Sequence, residues 1–264
     1  MQPLQFGFSP CPNDTFAFHA LVHGCVTPPC PIVPVMDDIE ALNQRARTED
    51  LELTKLSIGA LAAAGEAYVP LSAGAALGFG VGPLVVAQTQ RPLRDVRAST
   101  IAIPGRDTTA YLLLRLALGE EPEHAVEMRY DQILGAVARG DVDAGLIIHE
   151  SRFTYAAHGL ERVADLGDWW QHESGMPVPL AVICARRDVD PALRNQLSDA
   201  LRDSVQYAFD HPDASRDFVR THAQEMTEDV CRQHIALYVN QHSIDLGEAG
   251  LAAINALLAA AGRH

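Results

Sequence analysis

Nine short stretches of strand character, most of them separated by segments with helical periodicity, constrain this chain more than any other feature. They fall at 4–8, 32–35, 51–56, 84–87, 100–103, 126–129, 144–148, 162–164 and 180–185. Alternation of this kind predicts α/β architecture with largely parallel sheets. The helical pattern at 37–47 puts Ile39, Leu42 and Ala46 on one side, and 131–139 is amphipathic. Segment 108–118 is nearly all apolar, which predicts burial on both sides. After Ala185 strands stop recurring. Leu193, Leu197, Leu201 and Val205 repeat at spacing four, Thr227 precedes two acids as a helix cap does, and Leu251, Ile254, Leu257 and Leu258 form one last apolar face. The C-terminal segment is therefore expected to be helical.

Two segments resemble each other. Gly82-Pro-Leu-Val-Val-Ala87 and Pro179-Leu-Ala-Val-Ile-Cys184 are apolar strands with a Gly- or Pro-rich entry. As the two strands that cross between lobes, they divide the chain into 1–86 plus 181–264 and 87–180, with a ligand cleft between. That layout resembles the two-lobed type II periplasmic-binding-protein-like fold.

Composition narrows the ligand. The 34 acidic and 20 basic side chains leave a net charge of −14, which repels nucleic-acid backbones and anionic lipid surfaces. A small anion is still allowed, because a few donors in a cleft outweigh the global sign. Lys55 is the single lysine among 19 arginines. The opening MQPLQFGFSP has no basic stretch followed by an apolar run, and no stretch of about 18 apolar residues suggests a membrane span. Five cysteines without a CxxC spacing predict neither a disulfide framework nor a zinc site. A cytoplasmic protein with reduced thiols, no metal and no cofactor is expected; oligomeric state is not legible.

Four segments have the residues for chemistry. Ser9-Pro-Cys-Pro-Asn-Asp-Thr15 follows the first strand, where ligands sit in parallel α/β sheets. Asn13 and Asp14 there either hydrogen-bond a ligand or merely cap a helix. Cys11 is a packed thiol or a nucleophile activated by a helix start. Lys55-Leu56-Ser57 ends the third strand, where Lys55 can pair with a carboxylate and Ser57 can cap the next helix or face the cleft. In Pro104-Gly-Arg-Asp-Thr-Thr-Ala110, Asp107 or Thr108 can cap a helix, and the amides from Thr108 to Ala110 with the hydroxyls of Thr108 and Thr109 either form an anion site without metal or serve that helix start alone. His149 and Glu150 end an apolar strand, and His149 is either a general base or a structural histidine. Trp169, Trp170 and the segment from Gly175 to Pro179 wall the cleft or fill a core.

These segments, taken in order with Ala76-Leu-Gly-Phe-Gly-Val-Gly-Pro-Leu-Val85 and Arg152-Phe-Thr-Tyr155, resemble the 1,4-dihydroxy-6-naphthoate synthases of the futalosine route to menaquinone. The resemblance covers about residues 5–185. It implies a carbon–carbon lyase that converts cyclic de-hypoxanthine futalosine to 1,4-dihydroxy-6-naphthoate and a small sugar-derived fragment. It also implies His149 as the base, with Lys55, Leu56, Ser57, Thr109 and Ala110 against the substrate. Lys55, Arg106 and Arg152 are candidates for the substrate carboxylate, and Glu150 or Asp14 for a partner of His149. Three other readings stay open: a non-catalytic binding protein, the sister enzyme chorismate dehydratase, and a ligand-sensing module.

Overall fold

A computed structural model describes residues 3–223 and 227–262. Its strands, in chain order, are β1 (Leu4–Phe8), β2 (Ile32–Met36), β3 (Leu53–Ser57), β4 (Tyr68–Pro70), β5 (Ala76–Gly78), β6 (Leu84–Ala87), β7 (Thr100–Ile103), β8 (His124–Glu127), β9 (Ala144–Ile147), β10 (Glu161–Asp165) and β11 (Val178–Arg186). They form two sheets. The first runs β2-β1-β3-β11-β4, with β5 also on β11, and the second runs β10-β6-β9-β7-β8.

The sheets are mixed, not largely parallel. Four of the nine strand pairings among the described residues are parallel and five antiparallel. The antiparallel ones come from the crossings: β11 re-enters the first sheet against β3, and β6 enters the second against β9. β6 bonds only within the second sheet and β11 only within the first. The chain thus changes sheets between β5 and β6 and again ahead of Val178, a few residues before the expected boundaries at 86 and 180. β4 and β5, three residues each, have too little pattern to be seen in sequence.

Helix starts follow their caps. The Asp38 carboxylate accepts from Glu40 N–H at 2.9 Å and Ala41 N–H at 3.1 Å, fixing the start of Ile39–Arg47. Asp190, Thr108 and Thr227 cap the helices Pro191–Asp210, Thr109–Leu118 and Glu228–Tyr238 in the same way. Trp169 and Trp170 fall on a helix, Leu166–Ser174, where Trp170 joins the core and neither lines the cleft described below.

Packing then locks the site's elements. Under the first sheet, Phe6, Phe8 and Phe18 meet at ring separations of 5.0 to 5.6 Å. Helix Pro191–Asp210 buries Leu197, Leu201 and Val205 there, at about 1.5–3 kcal/mol for each side chain. Its Ser204 hydroxyl donates to Ala17 O at 2.8 Å and accepts from Leu21 N–H at 3.1 Å, pinning helix Pro12–Val22 behind the site. Among the described residues, no helix is long and apolar enough to cross a membrane.

Candidate active site

The ends of β3 and β9, the starts of two helices and one face of helix Glu228–Tyr238 converge on a cleft. Its polar lining is Asn13, Lys55, Ser57, Thr108, Thr109, His149 and His234; Ala110, Ile39, Ile148, Leu180 and Tyr238 add apolar wall. Strand alternation puts Lys55 and Ser57 on the cleft face of β3 and Leu56 on the other. The Leu56 side chain is fully buried in the core, so it does not face the cleft with its neighbours.

Asp14 also stands behind the cleft. Its Oδ2 accepts from the Ser9 N–H at 3.0 Å and the Ser9 hydroxyl at 2.7 Å. Its Oδ1 accepts from Asn13 Nδ2 at 2.7 Å and Lys55 Nζ at 2.5 Å. Lys55 and Asp14 are 4% and 2% exposed, so the ammonium is held in place by a fully satisfied counter-ion. With one N–H on Asp14, the ammonium has two further N–H groups, and Lys55 lines the cleft. Asn43 orients Ser57 by accepting its N–H and donating to its Oγ, both at 3.1 Å, which leaves the Ser57 hydroxyl hydrogen to donate.

The threonine hydroxyls, expected from the sequence as donors to an anion, are both engaged within the protein. Thr108 Oγ1 donates to Gly105 O at 2.7 Å and accepts from Tyr111 N–H at 3.1 Å. Thr109 Oγ1 donates to Leu180 O at 2.5 Å and accepts from Ile58 N–H at 2.8 Å. What this helix start can offer is backbone N–H, at Thr109 and Ala110, the first two residues of a ten-residue helix whose dipole favours an anion. Gly59 permits the approach: a Cβ there would lie 2.7 Å from Asp107 O and 2.9 Å from Thr108 O.

His149 follows β9 with φ +57°, a left-handed conformation that costs a residue with a Cβ roughly 1–2 kcal/mol. Its Nδ1 lies 3.4 Å from Cys11 Sγ, and its buried Nε2 has no hydrogen-bond partner among the described residues. Neither Glu150 nor Asp14 is its partner; Cys11 is. Burial first, and then the Lys55 charge, lowers the imidazole to about 3, so it is neutral at physiological pH. Burial, reinforced by Glu150 and Asp14, pushes the Cys11 thiol up, which favours the packed thiol over the thiolate. Next along the chain, burial with help from Asp131 raises Glu150 to about 7.

His234 lies outside the four segments singled out from the sequence. It is fully buried, its ring centroid is 6.1 Å from that of His149, and neither ring nitrogen has a partner among the described residues. A buried N–H left unpaired costs about 1–3 kcal/mol. The available signal was the spacing of His234 and Tyr238, four apart on one helical face. Arg106 and Arg152 are engaged elsewhere. Arg106 pairs with Glu127 at 3.0 Å and the Tyr111 hydroxyl at 3.1 Å, and Arg152 with Asp165 at 2.6 Å. Among the described residues no His, Cys, Asp or Glu cluster is suited to a metal.

Comparison with known proteins supplies a context for this geometry. A family model described as menaquinone biosynthesis matches residues 4–263. A 1,4-dihydroxy-6-naphthoate synthase of Thermus thermophilus is 52% identical, over 99% of this chain and 94% of that protein. One from Streptomyces coelicolor is 46% identical, over 97% and 91%. The crystal structure of protein AF1704 from Archaeoglobus fulgidus superposes with a TM-score of 0.93 at 36% identity, covering 99% of this chain and 97% of that one. The ligand-binding component of an ABC-type import system from Staphylococcus aureus, 16% identical, superposes at 0.69 over 100% and 93%. That last likeness shows the periplasmic-binding-protein-like fold alone.

Proposed function

The chain belongs to the menaquinone-biosynthesis family that includes the 1,4-dihydroxy-6-naphthoate synthases, and on that premise we propose that it is a carbon–carbon lyase acting on cyclic de-hypoxanthine futalosine. The observation that carries this reading is the pairing, in one cleft, of a neutral buried imidazole with a free Nε2 and a helix start with amides to offer.

His149 Nε2 takes the hydroxyl proton of the sugar-derived fragment. The oxygen becomes a carbonyl as the carbon–carbon bond breaks, and the electron pair passes to a ring oxygen as the naphthoate becomes aromatic. For Nε2 to accept, the proton of the neutral ring must sit on Nδ1, donating to Cys11 Sγ, which sets the role of that contact. An imidazole lowered to about 3 is always available but weakly basic. Burial is the larger cause of that depression and the Lys55 charge the smaller; a substrate carboxylate bound at Lys55 offsets the smaller one and raises basicity by that much. The Thr109 and Ala110 amides and the Ser57 hydroxyl fix the anion.

The test is turnover of the purified protein with cyclic de-hypoxanthine futalosine, products identified by mass, beside His149→Asn. Asparagine tolerates the left-handed backbone better than alanine and has no base. Naphthoate from the wild type, with turnover reduced about 10²–10⁴-fold in the variant, is the expected result. Binding without product in both proteins would return the fold to simple ligand capture.

A further inference from the structure

We propose that His234 is a second catalytic residue, whose ring N–H donates a hydrogen bond to the oxygen that gathers charge as the carbon–carbon bond breaks. The inference rests on the lyase reading and assigns its missing electrophile.

A neutral imidazole always carries one N–H. In buried structural histidines that donor is ordinarily paired, since buried polar side-chain atoms are in large majority hydrogen-bonded. His234 is fully buried, lines the cleft, and has both nitrogens without a partner among the described residues. The ring itself is well held, with Tyr238 at 4.6 Å and Phe153 at 6.4 Å between centroids. Its orientation is thus fixed by apolar packing while its polar atoms remain available. His149 differs, because one of its nitrogens is engaged by Cys11. His149 has one free nitrogen, which accepts a proton if Nδ1 carries the hydrogen; neutral His234 has an unpaired N–H to donate.

The surroundings favour the neutral donor. Burial is the main influence holding His234 below its ordinary range, and the neighbouring His149 and the Lys55 ammonium act in the same sense. Lys55 in turn faces Asp14. A neutral imidazole N–H is close in acidity to an enol. It can therefore stabilise a developing enolate by a strong hydrogen bond without giving up its proton. The step balances: the hydroxyl proton goes to His149, the broken bond's electron pair reaches the ring oxygen held by His234, and His149 returns the proton to the product. Nothing is oxidised or reduced.

The experiment compares wild type, His234→Ala and His234→Gln by steady-state and single-turnover kinetics, with thermal midpoints as a folding control. Glutamine keeps an N–H donor. Loss of an oxyanion donor lowers kcat about 10²–10³-fold. His234→Ala is expected to show that loss with KM within about threefold, and His234→Gln to recover at least about tenfold of it. A rise in KM at unchanged kcat, or equal losses in both variants alongside a fallen midpoint, would overturn the proposal. A second measurement separates it from the lyase reading. The imidazole ¹H–¹⁵N spectrum of wild type is recorded with and without 1,4-dihydroxy-6-naphthoate, and the His234 N–H is expected to move downfield. If the wild type turns nothing over but the resonance moves, the lyase reading fails and the donor assignment stands. If turnover is normal and the resonance stays put, the assignment fails alone.

Discussion

Two parts of one cleft are built on opposite rules. Around Asp14 the polar atoms are matched: the carboxylate accepts from Ser9, Asn13 and Lys55, and Ser57 is bracketed by Asn43. Across the wall formed by His149 and His234, three buried ring nitrogens have no partner among the described residues. Matched groups position a charge and stabilise the fold while doing so. Unmatched groups cost stability, and a cost of that kind is retained where a ligand supplies the partner.

Removing a matched group should hurt most. Lys55→Met strands a buried carboxylate and is expected to lower unfolding free energy by about 3–5 kcal/mol in urea titration; adding Asp14→Leu should recover much of that loss. If the single and double variants were equally destabilised, the pair would not be acting as a pair.

Next come Glu150 and His149, consecutive residues with opposite pH slopes. The Glu150 carboxyl, raised to about 7, lends stability below its unfolded value near 4.5 and loses it as pH climbs through 7. Glu150→Gln should remove that decline, on the order of 3 kcal/mol between pH 4.5 and 8. The His149 imidazole, lowered to about 3, contributes stability above 6.5 that drains away as pH falls toward 3. His149→Asn should flatten only this acid limb, as denaturation profiles across pH would record.

Removing an unmatched group should do the reverse. His234→Leu is expected to raise stability by about 1 kcal/mol in the same titration, since it deletes unpaired buried polar atoms at similar volume. A loss of more than 1 kcal/mol would assign His234 to the matched side. The smallest effect belongs to a cap: Thr108→Val should cost about 1 kcal/mol through the Tyr111 N–H it leaves unpaired.

Much of this is legible in the sequence. β1, β6 and β7 lie where their apolar runs lie, and the caps at Thr108 and Thr227 mark true helix starts. The cleft brings together Asn13, Lys55, Ser57, Thr108, Thr109, Ala110 and His149, read from four separate segments. What the sequence does not show has physical causes. Leu56 was carried along with its neighbours, although strand alternation already turned it inward. The threonines were counted as donors because sequence shows hydroxyls but not their commitments. Asp14 pairs with a residue 41 positions away, and His234 reaches His149 from the C-terminal helices; local pattern has no access to either distance.

Thr109 and Arg47 join the two sides of the cleft. The Thr109 hydroxyl bonds the helix start of the second sheet to Ile58 and to β11, and Arg47 grips Asp107 through two bonds at 2.7 and 2.6 Å. These joints are made by protein groups alone. A receptor that swings shut around its cargo orders two lobes on binding and buries new apolar surface, which calorimetry reads as a large negative heat-capacity change. Here the walls are already stitched along one seam, so association should register a small heat-capacity change, with the molecule behaving as a fixed mould rather than a jaw.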